Sequence, residues 1–527
     1  MLPRYTGLKL PKYRSKPLAN PVTASAEHHE QATLRTGVVI GSPGTGKSTG
    51  IRHRILEAAL KGHFVLVLDF HGSLVDDCLS DLLPRGFEPK IEILDLNDPR
   101  VVFGLDLMPY PDQEDRALWL RDEDKGIGDF AQILGRELGN ETGTDPMAGM
   151  MRGMWTRNFL RLRMRQRIKV SMRHVPYSLV VGHPIQERML ENCWDSKLAF
   201  EIRSVVEMKN LFQRESFIGA SRRLMDPFCT NPSVDAILCE PFVDLKEWQR
   251  QGKIVLVKSS PLVSESAARG VFAALNMRVF QNCALNFAAT NEPLPTDVFI
   301  DEALRLKPGI SESAMNEQGR KFGYAQVLIL QRLPDSEDIE AILQSSEFLE
   351  IYGQKEAKAA ESVAKQLSAW LYDPRQVKHE NVREKIQTVG HKAEDRTSRT
   401  QGSDGRTSQT TGSQLTPILE RVTESTPVFM TPQEFVAEWT SNVLALKDKP
   451  GSRYVIDGAK VSDKPEQVIR LEPLWTPEAT RRRLISEALQ RIRSRPHYHR
   501  PDTTEPAVPP LWEPPVPPKP KRPGAMK

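Results

Sequence analysis

The stretch Thr36–Thr49, TGVVIGSPGTGKST, constrains this chain more than any other part of it. It is a short β-branched run followed by a glycine-rich loop and then by Lys47 and Ser48. Glycines at this spacing let the N–H groups of the loop point inward and approach a phosphate closely. The apolar residues that follow, Ile51, Ile55 and Leu56, have helical spacing. The stretch therefore predicts a phosphate-binding loop between a buried strand and an amphipathic helix, and not a glycine-rich turn without a nucleotide.

Each residue type in this loop has a predicted role. Lys47 is expected to bridge the β- and γ-phosphates of ATP, and the Ser48 hydroxyl to hold Mg²⁺. We expect all nine residues of the loop to bind the nucleotide: Gly41, Ser42, Pro43, Gly44, Thr45, Gly46, Lys47, Ser48 and Thr49.

A second stretch, Thr296–Glu302, is a predicted strand that ends in two acids. Asp301 is expected to support the Mg²⁺, and Glu302 to polarise the attacking water. Adjacent acids at the end of a strand are common, so this pair gains its significance from the phosphate-binding loop. A further predicted strand ends at Gln331, whose neutral amide can sense the γ-phosphate. The alternative for Gln331, an ordinary polar residue at a strand end, stays open.

The residues Asp69–Ser73 follow another predicted strand. Open α/β sheets place their ligands at the carboxyl ends of the strands, which favours a direct role for this segment. A simple turn with Ser73 as a helix cap explains the same residues equally well, so both interpretations stay open.

Apolar strands alternate with helices on both sides of a long helical stretch, which predicts an α/β fold with a parallel sheet. We predict a basic arm and two parts of one ATPase domain that are separated by an all-helical insert. A flexible linker, a small helical region and a flexible Pro-rich tail follow. The predicted boundaries, in order, are 1–33, 34–111, 112–245, 246–385, 386–415, 416–500 and 501–527.

Composition limits the cellular setting. The 527 residues carry a net charge of +4, five cysteines without a C-x-x-C pair and no run of eighteen apolar residues. This argues against a disulfide framework, a zinc ribbon and a membrane span. The basic N-terminal segment has no apolar core, so it does not resemble a signal peptide. We expect a cytoplasmic protein without membrane insertion.

An arginine-rich run, Met150–Lys169, lies within the predicted insert. Arg157, Arg161 and Arg165 are four residues apart, which places them on one face of a helix. No acid appears between Asp145 and Glu187, and the aromatic residues Trp155 and Phe159 are interleaved with the arginines. The pattern predicts contacts with DNA phosphates; a solvated charged face is the alternative.

Taken together, these stretches resemble the HerA/FtsK superfamily of P-loop ATPases. Within it they resemble the soluble HerA-type proteins and the TraG/TraD-type coupling proteins of conjugation and type IV secretion. The resemblance covers about residues 34–370. Besides the helical insert, it rests on these segments: Gly41–Thr49, Leu68–Val75, Leu94–Asp98, Gly252–Val257, Asp301 with Glu302, and Arg320–Gln331.

The resemblance implies a RecA-like domain that forms a hexameric ring and pumps DNA through a central channel with ATP and Mg²⁺. A nuclease, a relaxase or a secretion channel would be a partner. Two features depart from the family. No N-terminal membrane spans are present, and residues 1–33 leave no room for the N-terminal β-barrel of HerA proteins.

We therefore predict an ATP-dependent DNA translocase. Ring ATPases take an arginine from a neighbouring subunit to stabilise the transition state, and Arg320 and Arg332 are candidates for this catalytic role. The alternative is an ATP-binding switch or scaffold that recruits partners without moving DNA. A small-molecule kinase is a third, weaker interpretation, because a kinase would not need the arginine run.

Overall fold

The computed structural model describes residues 35–111, 115–135, 146–167, 169–306, 310–333, 337–375, 377–401, 403–457, 460–461, 465–468 and 478–499. The predicted basic arm 1–33 and the predicted Pro-rich tail 501–527 lie outside these residues. The described chain divides into two compact units. The first unit comprises the chain up to Tyr352 and from Lys449 onward, and the second unit comprises Gly353–Asp448.

A ten-stranded sheet forms the centre of the first unit, and a separate two-stranded sheet, β8 with β9, belongs to the second. The strands of the described chain are β1 (Gly37–Ile40), β2 (Phe64–Asp69), β3 (Ile91–Asp95), β4 (Ile254–Lys258), β5 (Thr296–Ile300), β6 (Tyr324–Leu330), β7 (Phe348–Tyr352), β8 (Val377–Gln401), β9 (Thr407–Phe429), β10 (Ser452–Asp457), β11 (Lys460–Val461) and β12 (Glu466–Gln467).

The strand order of the large sheet is β11-β10-β7-β1-β6-β5-β2-β4-β3, with β12 also paired to β10. From β7 to β3 all neighbours are parallel, and β10 runs antiparallel to β7. Every residue of β1, β2, β3, β5, β6 and β7 is buried. Near-continuous apolar strands of this kind are typical of a parallel sheet covered on both faces, so the predicted fold class is confirmed.

The helices of the described chain are α1 (Lys47–Leu60), α2 (Ser73–Leu82), α3 (Arg116–Ile133), α4 (Pro146–Met164), α5 (His174–Ser178), α6 (Pro184–Asn192), α7 (Ser196–Val206), α8 (Leu211–Thr230), α9 (Pro232–Ile237), α10 (Leu245–Arg250), α11 (Glu265–Thr290), α12 (Ile310–Phe322), α13 (Glu337–Gln344), α14 (Ala357–Leu371), α15 (Pro432–Ala445) and α16 (Glu478–Arg493). Helices α3 to α10 follow one another between β3 and β4, which confirms the helical insert. Within the described ranges, no helix combines the length and the apolar content needed to cross a membrane.

The structure differs from the prediction in the region that follows β7. The segments for which we predicted a flexible linker, 386–415, and a helical region, 416–500, contribute a long β-hairpin and a strand, β10, that extends the large sheet. The predicted helical region also contains two helices, α15 and α16. The polar composition of these segments does not indicate strands, so their pairing was not predicted. Threonine and other β-branched residues recur along both hairpin strands, and Gly405 has a φ of 78°, a left-handed conformation common in turns between strands.

Helix α16 and the residues after it pack on the β3 edge of the large sheet. Arg491 Nε lies 2.7 Å from Glu88 Oε1, and Arg495 Nη1 lies 2.8 Å from Glu92 Oε1. The hydroxyl of Tyr498 accepts a hydrogen bond from the backbone N–H of Ile93 at 2.7 Å. Arg491 and Arg495 are therefore matched by acids at the β3 edge.

Candidate active site

The predicted phosphate-binding loop connects β1 to α1. Gly44 and Gly46 have φ values of 79° and 98°, a left-handed region that favours glycine. Gly46 is the N-cap of α1, where no side chain caps the helix and no acid lies in the first turn. The N–H groups at a helix N-terminus, together with the helix dipole, favour an anion.

Lys47 is buried at the base of this loop. Its ammonium group donates hydrogen bonds to the carbonyl oxygens of Gly41 and Ser42, the second at 3.1 Å. The Thr45 hydroxyl also donates to the Ser42 carbonyl, at 2.7 Å. These bonds hold the loop in shape and leave Ser48 exposed at the cavity.

A cavity of about 420 Å³ opens beside the loop and brings the predicted site residues together. The carboxyl ends of β1, β5 and β6 meet there, because Ile40 pairs with Leu330 and Ile300 pairs with Leu328. Its lining comprises loop residues, both predicted acids and the predicted sensor: Pro43, Gly44, Gly46, Lys47, Ser48, Thr49, Asp301, Glu302 and Gln331.

Asp301 lies in a crowded acidic environment. Burial, and then the neighbouring carboxylates of Asp69 and Glu302, raise the pKa of the Asp301 carboxyl to about 6. A carboxylate whose charge is opposed in this way is stabilised by a cation. Ser48 and Asp301 line the same cavity, and a hydroxyl with a carboxylate is a donor set that suits Mg²⁺.

Glu302 is held by three side chains. Its Oε1 atom accepts a hydrogen bond from Gln331 Nε2 at 2.6 Å and lies 2.7 Å from His71 Nε2. Its Oε2 atom lies 2.5 Å from Arg305 Nε. Glu302 also has a φ of 53°, which is unusual for a residue other than glycine. Backbone strain of this kind is concentrated at functional sites, which supports a functional role for Glu302.

The segment Asp69–Ser73 reaches the site through His71. Asp69 is fully buried, and its carboxylate accepts hydrogen bonds from the backbone N–H groups of His71 at 2.9 Å and of Val75 at 3.0 Å. The turn is therefore rigid and directs the His71 side chain toward Glu302. The N-cap of α2 is Gly72, without a side-chain cap, so the predicted cap at Ser73 is wrong.

Two groups of site residues could not be identified from the sequence. Arg305 lies in a short helical turn, Ala303–Leu306, and only its contact with Glu302 distinguishes it from other surface arginines. The second group comes from the C-terminal part of the first unit, where the Gly451 N–H donates to the Thr45 carbonyl at 2.8 Å. The cavity residues from that part are Pro450, Gly451, Gln467 and Val468.

The two candidate arginines for catalysis in trans lie apart from each other. Arg320 is in the last turn of α12, at the edge of the sheet opposite the loop, where its Nη1 atom lies 3.1 Å from Glu347 Oε1. Arg332 directly follows Gln331 and is exposed. Neither residue lines the cavity within one chain, so a role for either would have to be in a neighbouring chain.

The arginine-rich run differs from its prediction. Arg161 Nη2 lies 2.7 Å from Asp124 Oδ1, and Arg165 Nε lies 2.9 Å from Glu123 Oε1. Both acids belong to α3, so the premise that this face lacks compensating acids is wrong. Only Arg157, of the three arginines proposed for DNA, is exposed.

The neighbouring residues of the run are part of the core of the insert. Arg163 is fully buried, and its Nη2 atom is 2.9 Å from Asp106 Oδ1. Trp155 and Phe159 are also buried, so they are not available to stack on bases. Helical spacing alone could not show that acids distant in sequence face these arginines.

No protein-family model and no curated protein matches this chain. Among solved structures, the unbound form of the bacterial conjugative coupling protein TrwBdeltaN70 is 16% identical, with a TM-score of 0.51, covering 84% of this chain and 86% of that chain. The plasmid coupling protein TrwB with the non-hydrolysable ATP analogue ADPNP is 14% identical, with a TM-score of 0.51, covering 84% and 88%.

A third structure, TrwB with ADP and Mg²⁺, is 15% identical, with a TM-score of 0.50, covering 85% of this chain and 88% of that chain. At these identities the similarity defines the fold. The chain has the RecA-like P-loop fold of the conjugative coupling protein TrwB.

Proposed function

We propose that this protein is an ATPase that couples ATP hydrolysis to the movement of DNA and that acts as a ring. One observation carries the first part of the proposal. Lys47 and Ser48 of the phosphate-binding loop line the same cavity as Asp301, Glu302 and Gln331. A phosphate cradle beside an acid pair and a neutral amide is the set of groups that phosphoryl transfer to water requires.

The roles of these residues follow from their positions. Lys47 and the loop N–H groups bind the β- and γ-phosphates, and Ser48 with Asp301 would hold Mg²⁺, which neutralises charge on the phosphates when bound. Glu302 orients and polarises the attacking water. Gln331 donates to the γ-phosphate without changing the charge of the site. The structures of TrwB with ADPNP and with ADP and Mg²⁺ support ATP and Mg²⁺ as the ligands here.

Movement of DNA and assembly into a ring rest on the likeness in fold to a conjugative coupling protein. In a ring, a neighbouring chain would also supply positive charge to the nucleotide site. Arg320 and Arg332 are the candidates for this role. In that setting a relaxase, a nuclease or a secretion channel is the expected partner. Arg157 is the remaining candidate on α4 for contact with a DNA phosphate, because acids pair with Arg161 and Arg165.

The acid pairing of Arg161 and Arg165 also favours the alternative function, a nucleotide switch or scaffold that does not move DNA. Glu302 discriminates between the two functions, because a switch that never hydrolyses ATP has no need for a positioned general base.

The test is an ATPase assay on the full-length protein with no DNA, with single-stranded DNA and with double-stranded DNA, run beside light scattering to measure the assembly. The Lys47→Ala protein is the background control. A DNA-stimulated rate from a ring-sized species supports the proposal. ATP binding without turnover in any of the three conditions would leave the switch as the function.

A further inference from the structure

His71 is a side chain of the nucleotide cavity to which the proposed hydrolysis assigns no role. It follows β2, and Glu302 follows β5, the strand beside β2 in the sheet. Leu68 pairs with Ile300 at the ends of these strands, and the Asp301 N–H donates to the Leu68 carbonyl oxygen at 2.9 Å. The two turns therefore leave the sheet side by side, which brings the imidazole of His71 to the carboxylate of Glu302.

The turn that carries His71 is fixed by its neighbours in the chain. The two residues before it, Asp69 and Phe70, are buried. The Asp69 carboxylate accepts a hydrogen bond from the His71 backbone N–H at 2.9 Å, and the Phe70 ring packs on the Phe272 ring with 4.6 Å between their centroids. The next residue, Gly72, has a φ of 83°, which favours glycine. The backbone therefore holds the imidazole at the cavity.

The contacts of the imidazole show which of its nitrogens carries hydrogen. Nε2 lies 2.7 Å from Glu302 Oε1 and 3.4 Å from Arg305 Nη2. A carboxylate oxygen only accepts and a guanidinium only donates, so Nε2 cannot serve both groups. The contact with Glu302 is the shorter one and has an ionised acceptor, so it decides the tautomer. His71 Nε2 is therefore protonated and donates to the proposed general base.

The two oxygens of Glu302 have different partners. Oε1 accepts from His71 and, at 2.6 Å, from Gln331 Nε2, whereas Arg305 Nε lies 2.5 Å from Oε2. A γ-phosphate in the cavity would compete for the Gln331 amide, and the attacking water would compete with Arg305 for Oε2. His71 competes with neither ligand. Of the three side chains that hold Glu302, it is the one that can stay in place during hydrolysis.

We propose that His71 is a positioning residue, which keeps the Glu302 carboxylate oriented toward the attacking water while ATP engages Gln331. This inference rests on the proposed ATPase function and deepens it. The terminal torsion of a glutamate is soft, so one anchored oxygen decides where the other points. A general base must lie within hydrogen-bond reach of the proton that it removes. With Oε1 held by His71, Oε2 is the oxygen that accepts the proton of the water.

Two substitutions of His71 separate the position of the donor from the size of the side chain. The amide nitrogen of glutamine lies as many bonds from Cβ as Nε2 of histidine does, and the amide nitrogen of asparagine lies as many as Nδ1. We expect His71→Asn to lower kcat about ten-fold or more, and His71→Gln to restore most of that loss. The affinity for ATP should stay the same in both, because the bond acts on the base and not on the phosphates. Equal kcat in the two variants, or weaker ATP binding by His71→Asn, overturns the proposal.

A double-mutant cycle with Glu302→Ala tests whether His71 acts through Glu302. His71→Asn should lower the residual kcat of Glu302→Ala less than about two-fold, because the base that it orients is already absent. A further ten-fold loss in the double variant would mean that His71 acts on the nucleotide or the metal instead, and would overturn the positioning role.

Urea unfolding of the same four proteins without nucleotide measures the contact independently of turnover. We expect the double variant to lose less in its unfolding midpoint than the sum of the two single losses, because both single changes break the same hydrogen bond. Additive losses in an active wild type contradict the contact of His71 with Glu302 and leave the ATPase standing. A wild type that binds ATP without turnover contradicts the proposed function itself, and with it any role of His71 in hydrolysis.

Discussion

The side-chain amide of Gln331 donates a hydrogen bond to the carboxylate of Glu302, with 2.6 Å between Nε2 and Oε1. Gln331 directly follows β6, and Glu302 follows the adjacent strand β5. The bond joins the proposed γ-phosphate sensor to the proposed general base. A γ-phosphate oxygen would compete with Glu302 for the same amide protons. ATP binding and the orientation of the base are therefore linked through one side chain.

The first prediction separates chemistry from binding. Replacing Glu302 with Gln removes the general base and keeps the size of the side chain, so we expect turnover to fall about 10²-fold or more while ATP still binds. Lys47→Ala should instead weaken ATP binding, because it removes the cation that contacts the phosphates. Steady-state hydrolysis and equilibrium binding of a fluorescent ATP analogue measure the two effects. Hydrolysis by Glu302→Gln at the wild-type rate would exclude Glu302 as the base.

The second prediction concerns the ion pair between Arg305 and Glu302. Both oxygens of Glu302 are engaged, so the attacking water competes with Arg305 for Oε2. Arg305 is 37% exposed, so the pair contributes at most about 1 kcal/mol. We expect Arg305→Ala to raise the rate without DNA by up to about five-fold, with Arg305→Lys in between. A ten-fold fall would instead mean that Arg305 contributes to the transition state.

The third prediction uses the pKa of Asp301, which the surroundings raise from 3.8 to about 6. Above about pH 6 Asp301 is ionised in both the folded protein and the unfolded chain, and its ionisation is less favourable in the folded protein. Asp301 therefore lowers the free energy of unfolding by up to about 3 kcal/mol. Asp301→Asn should therefore increase stability at pH 7. The gain should shrink as the pH falls through 6 toward about 4, because Asp301 becomes protonated in the folded protein, and it should vanish only below about pH 3, where Asp301 is protonated in both states.

Urea unfolding of both proteins at pH 7, 6 and 4, without divalent cations, measures this difference. The comparison at pH 4, where most of the gain should be lost, is the internal control. A gain that is the same at all three values would show that the charge of Asp301 is not its cause.

The sequence alone predicts those residues of the nucleotide site whose positions follow from local spacing or from the end of a strand. The loop Gly41–Thr49 specifies its own backbone, and parallel strands bring their carboxyl ends to one edge, so Asp301, Glu302 and Gln331 could be placed together before any coordinates. Gly451 and Gln467 could not, because they reach the cavity through a strand that joins the sheet from far along the chain.

For the helical insert, the sequence alone was not sufficient to predict which arginines are available to a ligand. The spacing of Arg157, Arg161 and Arg165 correctly indicates neighbouring positions on a helix, but spacing carries no information about what packs against that helix. Two of the acids that pair with Arg161 and Arg165 come from α3, about forty residues earlier in the chain, and a third, Asp195, comes from thirty residues later. Tertiary contacts of this kind decide whether an arginine is structural or available to a ligand.

The fourth prediction follows from this difference between the arginines. Arg165 pairs with Glu123, which is 1% exposed, so Arg165→Gln leaves a buried carboxylate without its partner and should cost about 3 kcal/mol of stability. Arg157→Gln removes an exposed side chain and should change stability by less than about 0.5 kcal/mol. Chemical unfolding of the two variants beside the wild type measures both values.

Since Arg157→Gln keeps the fold, it also isolates the question of DNA contact. If Arg157 contacts a phosphate, its loss releases one fewer counterion, and the slope of log affinity against log salt should flatten by about 0.9 on duplex DNA or about 0.7 on single strands. The weakening should be equal across DNA sequences, because a phosphate contact carries no base information. Stimulation of ATP hydrolysis by DNA should decrease in parallel. An unchanged slope would mean that the exposed face of α4 does not contact DNA, and would favour the scaffold over the motor.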